Sequence, residues 1–350
     1  MSVIEIAGRP IGPGHPPYVV AELSGNHNQS LETAVALVKE ARARGADAVK
    51  LQTYTPDTMT LDLDRPPFRI EGGLWGGRTL YDLYKEAYTP WEWQPKLMDV
   101  ARELGMACFS TPFDETAVDF LEGLGVPAYK VASFELADHA LLDKIARTRK
   151  PVLISTGLAT LAEIDESVRV ARGAGVKDLV LLHCVSAYPA PAHAMNLCTI
   201  PHLAKAFDCV AGLSDHTLGN AVAVASVALG ASVIEKHFTL ARAAGGPDSA
   251  FSMEPSELEE LVRSVATAWQ ALGKVEYRVE DAESENKSFR RSLFVVKDVK
   301  AGTVLTKEHV RALRPGAGLP PRYLPLVLGA RAVVDISRGT PLAFEHLIRR

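Results

Sequence analysis

The chain is poor in cysteine, in basic clusters and in long apolar runs, and each shortage excludes something. Only four cysteines occur in 350 residues, and Cys108, Cys184, Cys198 and Cys209 form no C-x-x-C pair, which argues against a disulfide framework. They are expected to be reduced core residues, since nothing near them in sequence supplies the positive charge that activates a thiol. Lys plus Arg number 38 against 42 Asp plus Glu, and no dense basic stripe offers a nucleic acid its electrostatic footprint. Apolar stretches such as 220–231 stop short of the roughly 20 residues a membrane span needs, and the N-terminus lacks the basic start and apolar core of a signal peptide. These absences predict a cytoplasmic protein that binds neither nucleic acid nor membrane.

What is present suits a full core: 47% hydrophobic and 23% charged residues. At about 150 residues per domain, the length predicts roughly two domains. Eight short β-branched runs recur: 18–23, 48–52, 106–109, 128–132, 152–155, 179–184, 209–213 and 232–237. Between them lie amphipathic stretches such as 30–44, 91–104, 114–124 and 161–173, with glycine stops at Gly45, Gly105, Gly125, Gly175 and Gly230. No G-x-G-x-x-G follows the first run, which weakens a dinucleotide fold. The alternation predicts an α/β chain, a closed (β/α)8 TIM barrel over 1–277. One connection, Thr53 to Thr89, is long and rich in Pro, Gly and aromatics, as a lid or binding loop is. A polar linker over 278–290 then leads to a small β-rich domain over 291–350.

Barrel enzymes carry their chemistry at the carboxyl ends of the strands, and here those ends are polar. In strand order they supply Glu22; Lys50 and Gln52; Thr111; Lys130, Ser133 and Glu135; Ser155; Ser186 and Tyr188; Ser214 and His216; and Glu235 and His237. His216 and His237 close adjacent strands, so their imidazoles are expected to share a divalent cation whose other positions stay open; singly, each is equally a core or capping histidine. Two nitrogens and no thiolate suit manganese, with magnesium or cobalt as alternatives. Two inward ammonium groups, Lys50 and Lys130, call for an anionic substrate, unless each merely pairs with Glu22 or Glu135. Ser133, Ser155 and Ser214 would complete a phosphate cradle. Glu22 is either a general acid or base or simply the partner of Lys50. Asp248, in a Gly-Gly-Pro-Asp-Ser loop, is placed to bind sugar hydroxyls or is a plain turn residue.

The segments holding these residues resemble the sialic acid synthase family: AELSGNHN at 21–28, ADAVKLQT at 46–53, GLSDHT at 212–217 and IEKHF at 234–238. The C-terminal part resembles the antifreeze-like (SAF) domain of the same enzymes. Within the family, LQTYTPDT at 51–58, LWGGRTLYDLY at 74–84 and AYTPWEW at 87–93 are similar to the pseudaminic acid branch. Where N-acetylneuraminate synthases read E-x-G-x-N-H and Asn before Tyr-Pro, this chain has Glu22-Leu23-Ser24-Gly25-Asn26-His27 and Ser186-Ala187-Tyr188-Pro189. The resemblance implies condensation of phosphoenolpyruvate with an acetamido-sugar aldehyde and water, with C–O cleavage. It implies His216 and His237 as metal ligands, and Lys50, Lys130, Ser133, Ser155 and Ser214 as phosphoenolpyruvate contacts. Glu22 would handle the water. Gln52, Thr111, Ser186, Glu135, Tyr188 and Asp248 would line the substrate side. Arg314 matches an arginine lent to a partner's barrel, which implies a domain-exchanged homodimer. The rivals are an N-acetylneuraminate or legionaminate synthase, a Schiff-base aldolase using Lys130, and a non-catalytic carbohydrate-binding protein.

Overall fold

The structure, a computed structural model, describes residues 3–348 as two compact units divided between Gly273 and Lys274. In the first, eight parallel strands close on themselves: β1 (Tyr18–Glu22), β2 (Ala48–Thr53), β3 (Ala107–Pro112), β4 (Tyr129–Val131), β5 (Val152–Ser155), β6 (Leu179–Cys184), β7 (Val210–Asp215) and β8 (Val233–His237). The predicted barrel is the observed one. β8 pairs with β1 in the register Val233↔Tyr18 through His237↔Glu22, and this pairing seals the cylinder. Strands β3 and β7 run further than their apolar runs, so Ser110, Thr111, Ser214 and Asp215 lie inside the strands rather than after them.

Side chains alternate along a strand, so residues two apart share a face. The outward set, including Val19, Ala21, Val49, Leu51, Val131, Ile154, Leu181 and Leu213, packs against the helices. The inward set at the amino ends, among them Val20, Ala48, Phe109, Leu153, Val180, Leu182, Val210 and Val233, forms a second core. An N-terminal hairpin, Ile4–Ile6 with Arg9–Ile11, adds Ile4, Ile6 and Ile11 to that core and plugs the barrel floor. Gly212 sits in this crowded layer, where a Cβ would come within 2.7 Å of Leu182 Cδ2. Three-residue strands are too short to show a period, and the hairpin was not anticipated from the sequence.

Eight helices surround the strands: α1 (Leu31–Ala43), α2 (Gln94–Glu103), α3 (Glu115–Leu124), α4 (His139–Arg147), α5 (Leu161–Gly173), α6 (Thr199–Phe207), α7 (Ala221–Ala228) and α8 (Pro255–Leu272). Local chemistry sets their ends. Asp114 accepts from the Thr116 and Ala117 N–H groups, Thr160 and Glu163 form a capping box, and Gly45, Gly105, Gly125, Gly175 and Gly230 all take positive φ. In α4 the buried stripe is Leu141, Leu142, Ile145 and Ala146, and each large side chain contributes about 1.5–3 kcal/mol by leaving water. The long connection after β2 is ordered by two short helices, Pro56–Met59 and Leu80–Ala87. Among the described residues, no helix is long and apolar enough to cross a membrane.

The second unit begins with exposed single turns at Asp281–Glu283 and Glu285–Phe289. Ser292–Val295 then pairs antiparallel with Val310–Leu313, and Arg331–Ala332 with Leu347–Ile348. All four residues of Ser292–Val295 are buried: Leu293 and Val295 pack in a core with Val299, Leu305, Val327, Ile336 and Leu342, while Ser292 Oγ accepts from the Ala317 and Gly318 N–H groups.

Candidate active site

The alternation that builds the apolar floor also builds the barrel mouth. Two residues beyond Val20 comes Glu22; beyond Ala48, Lys50; beyond Phe109, Thr111; beyond Leu153, Ser155; beyond Val233, Glu235 and then His237. These polar ends therefore point inward by the same rule that points the valines inward. Lys50 Nζ lies 2.6 Å from Glu22 Oε2, 3.6 Å from Glu235 Oε1 and 3.2 Å from Thr111 Oγ1. Lys130 Nζ donates to Ser155 Oγ at 2.7 Å and to the Val131 carbonyl at 3.2 Å, and faces Glu235 Oε1 at 3.9 Å. Gln52 Nε2 donates to Glu22 Oε1 at 2.9 Å, and Ser214 Oγ to Glu235 Oε1 at 3.4 Å.

Glu235 is thus the hub on which both lysines converge, and its position at the end of β8 was visible in the sequence without its role. Among the described residues Lys130 forms its ion pair with Glu235 and none with Glu135, which corrects the Lys130–Glu135 pairing expected from the sequence: Glu135 lies past the end of β4, whereas Glu235 points into the barrel. Burial pushes the Glu22 carboxyl up against the pull of Lys50, with the nearby Glu235 charge adding to the rise. Burial also acts upward on Glu235, but Lys130 and Lys50 hold it below the usual carboxylate range. One carboxylate is therefore biased toward carrying a proton and the other toward staying charged, which is how acid and base roles are divided. Burial lowers the Lys130 ammonium, and Lys50 stays raised because Glu22 and Glu235 outweigh its burial.

Beside Lys130 lies a hydroxyl cradle. Ser133 Oγ accepts the Gly157 N–H at 3.1 Å, and Cys184 Sγ is 3.8 Å from Ser186 Oγ. A Cβ on Gly157 would sit 2.7 Å from Ser133 Oγ and would also run into Ser186 Oγ, so only glycine lets these hydroxyls gather around a backbone N–H. With Ser155 and Lys130, the group can take an anion. Gly157 was not singled out from the sequence, where an isolated glycine after a strand reads as a turn. Cys184 corrects another expectation: its thiol lies 3.9 Å from His216 Nδ1. Burial raises that thiol, but His216 and Lys130, which come from other strands, bring it below its ordinary value. Cys198 is exposed, not core, whereas Cys108 and Cys209 are buried as expected.

The two imidazoles meet. His216 and His237 have ring centroids 5.3 Å apart, and Tyr188 packs 4.4 Å from His216 and 6.3 Å from His237. Phe251 lies 4.9 Å from His237, and Trp75 of the long connection lies 5.6 Å from Tyr188. His216 Nδ1 is 3.0 Å from the Val185 carbonyl, a contact that places a proton on Nδ1; burial lowers the ring, but Cys184 and that carbonyl raise it, so ligation through Nε2 would displace its second proton. His237 Nδ1 is buried without a hydrogen-bond partner, and burial followed by the His216 charge drives the ring well below its usual value, so it stays neutral and able to ligate. Among the described residues, no group of three or more His, Cys, Asp or Glu could hold a metal ion. A cation on the two imidazoles would therefore need water or substrate for its remaining positions.

On the far rim, Ser24 donates to Asp248 Oδ2, and Trp75 Nε1 donates to the Pro247 carbonyl at 2.8 Å. Burial raises the Asp248 carboxyl, against the Ser24 hydroxyl and the His216 charge. Glu135 has a buried oxygen without a hydrogen-bond partner, and burial pushes it up to about 7. Arg314 lies in the second unit, just past Val310–Leu313, where it lines a cavity of about 480 Å³ with Lys297, Arg311 and Arg338.

A pseudaminic acid synthase of Helicobacter pylori is 43% identical to this chain over 95% of it and 98% of the relative. An N,N'-diacetyllegionaminic acid synthase of Legionella pneumophila is 37% identical over 97% of each. The crystal structure of an N-acetylneuraminic acid synthetase from Leptospira borgpetersenii superposes with a TM-score of 0.73 at 29% identity, covering 83% of this chain and 96% of that one. Residues 290–348 match the SAF domain, and residues 37–277 match the model of the NeuB family, so the chain belongs to that family.

Proposed function

We propose that this chain condenses phosphoenolpyruvate with a 2,4-diacetamido-2,4,6-trideoxy hexose and water, giving a nine-carbon 2-keto sugar acid and phosphate. The observation that carries the reading is the convergence of two buried ammonium groups, a serine cradle, a carboxylate pair and two imidazoles on one barrel mouth. The 43% identity to a pseudaminic acid synthase supports the choice of sugar.

In this reading Lys50, Lys130 and the Ser133, Ser155 and Ser186 hydroxyls hold the carboxylate and phosphate of phosphoenolpyruvate, and Thr111 and Ser214 orient the lysines and Glu235. The enol C3 forms a bond to the aldehyde carbon, whose oxygen takes the proton that burial keeps on Glu22. Water adds at C2 and gives one proton back to the Glu22 carboxylate; phosphate then departs with the electrons of the C2–O bond and carries off the remaining hydroxyl proton, leaving the C2 ketone. His216 and His237 would hold a divalent cation, manganese first, which when bound supplies Lewis acidity toward the aldehyde oxygen. Glu135, Tyr188 and Asp248 face the sugar, with Gln52 fixing Glu22. No barrel strand contains an arginine, and Arg314 of a second copy is the proposed source of one, in a domain-exchanged homodimer. A cytoplasmic location belongs to the same reading, because phosphoenolpyruvate is made there.

The test is phosphate release from phosphoenolpyruvate against a panel of acetamido aldoses, with and without manganese. The diacetamido trideoxy sugar is expected to lead. A lead for N-acetylmannosamine or the legionaminate precursor would reassign the substrate, and no release with any sugar would overturn the reading. The burial-lowered Lys130 favours one rival, a Schiff-base aldolase. Borohydride trapping of substrate on Lys130 with activity surviving EDTA would establish it.

A further inference from the structure

Ser24 holds a backbone conformation that serine seldom takes, φ 48°, and it is almost fully buried. A glycine would occupy the same place without steric cost. Such conformations persist where the surroundings enforce them, and they gather at working sites. The Ser24 hydroxyl donates to Asp248 Oδ2 across 224 residues of chain, and accepts the Gly25 N–H at 2.6 Å.

The loop that carries Asp248 does not need this contact in order to dock. From the β1–α1 loop, Asn26 Nδ2 donates to the Phe238 carbonyl at 2.8 Å and to Ser252 Oγ at 2.9 Å, and Ser252 Oγ in turn donates to the Asp248 carbonyl at 2.7 Å. Asn28 Nδ2 reaches the Gly245 carbonyl at 3.2 Å, and Trp75 Nε1 holds the Pro247 carbonyl from the other side. The main chain on both sides of Asp248 is thus fixed without Ser24. What Ser24 fixes, together with the neighbouring Gly25 N–H, is the direction of the Asp248 carboxylate.

We propose that Ser24 is a positioning residue for sugar recognition: it aims the Asp248 carboxylate at a hydroxyl or amide N–H of the acetamido sugar, and its strained backbone is kept for that purpose. This rests on the sugar-acid synthase reading above. A carboxylate held by one oxygen accepts a substrate donor at lower entropic cost than one free to rotate. The phosphoenolpyruvate subsite, built from Lys50, Lys130 and the serines, does not involve it.

Two substitutions separate positioning from simple packing. Ser24→Gly removes the hydroxyl and the strain together, and Ser24→Ala removes the hydroxyl and keeps the strain. Both are expected to raise KM for the sugar about tenfold, with KM for phosphoenolpyruvate within about twofold of the wild type. Thermal melting should separate them, with Ser24→Gly as stable as the wild type or more so and Ser24→Ala less stable. A purely structural serine predicts that Ser24→Gly behaves like the wild type, and an unchanged sugar KM in that variant overturns the proposal. Asp248→Asn should raise the sugar KM equally, and adding Ser24→Gly to it should raise KM no further; a further rise would also overturn it. A wild-type protein that releases phosphate with no acetamido aldose takes down the functional reading and this inference together, an outcome distinct from an active wild type with a normal Ser24→Gly variant.

Discussion

The floor and the mouth of the barrel are built by the same strands and the same alternation, yet their physics is opposite. At the floor Val20, Ala48, Phe109, Leu153 and Val233 pack on the hairpin isoleucines, and nothing there requires a partner. One step further along each strand, Glu22, Lys50, Thr111, Ser155 and Glu235 are equally buried but stable only in each other's company. A buried ion pair adds little net stability over an apolar core and costs much when half of it is removed. The floor therefore holds the cylinder closed, and the mouth holds charge in place for an anion. A stack of residues two apart is enough to switch from one task to the other.

Substitutions at the two levels should fail differently. The largest effect is expected at the mouth: His216→Ala should lower kcat by about a thousandfold or more and abolish manganese binding measured by calorimetry, with the fold intact by circular dichroism. Retained manganese affinity would break the metal assignment. Lys50→Met should cost about 3–5 kcal/mol in denaturant unfolding and abolish activity, because it leaves Glu22 buried without its cation and Glu235 with Lys130 alone. Its floor counterpart, Leu153→Ala, should cost a similar 2–5 kcal/mol or so through a cavity, while kcat/KM per folded molecule stays near wild type. Equal activity loss in both would erase the distinction between the levels.

A smaller effect concerns Glu135, whose folded value near 7 lies above its unfolded value. Its protonated form stabilises the fold fully below about pH 4.5, and that contribution disappears as pH rises through 7. Glu135→Gln should therefore flatten the stability profile between pH 5 and 8, and at pH 8 should exceed the wild type by up to about 3 kcal/mol in denaturant unfolding. A profile parallel to the wild type would contradict the shift. The smallest effect is expected for Trp75→Phe, which keeps a ring against Tyr188 and loses only the bond to Pro247, costing about 1 kcal/mol and seen as a few-fold rise in sugar KM.

The fold and much of the site were open to sequence reading for one reason: both depend on local period. Eight β-branched runs with polar ends give a barrel and its catalytic rim without any long-range information, and Lys50, Lys130, His216 and His237 do converge. What escaped depends on contacts between distant strands. Glu235 is a hub only because β8 faces β2 and β4 across the barrel, and Gly157 matters only because Ser133 and Ser186 arrive from either side. Cys184 gains its positive surroundings from His216 and Lys130, neither of which is near it in sequence. The Ser24–Asp248 bond joins the first strand's loop to the last strand's loop, which only closure of the cylinder makes neighbours.

The most direct measurement uses phosphoenolpyruvate labelled with ¹⁸O in its bridging oxygen, incubated with the diacetamido trideoxy aldose and manganese. Water addition at C2 by the buried mouth cluster predicts that the label leaves with inorganic phosphate. Label retained in the keto acid, or no phosphate formed, would contradict it.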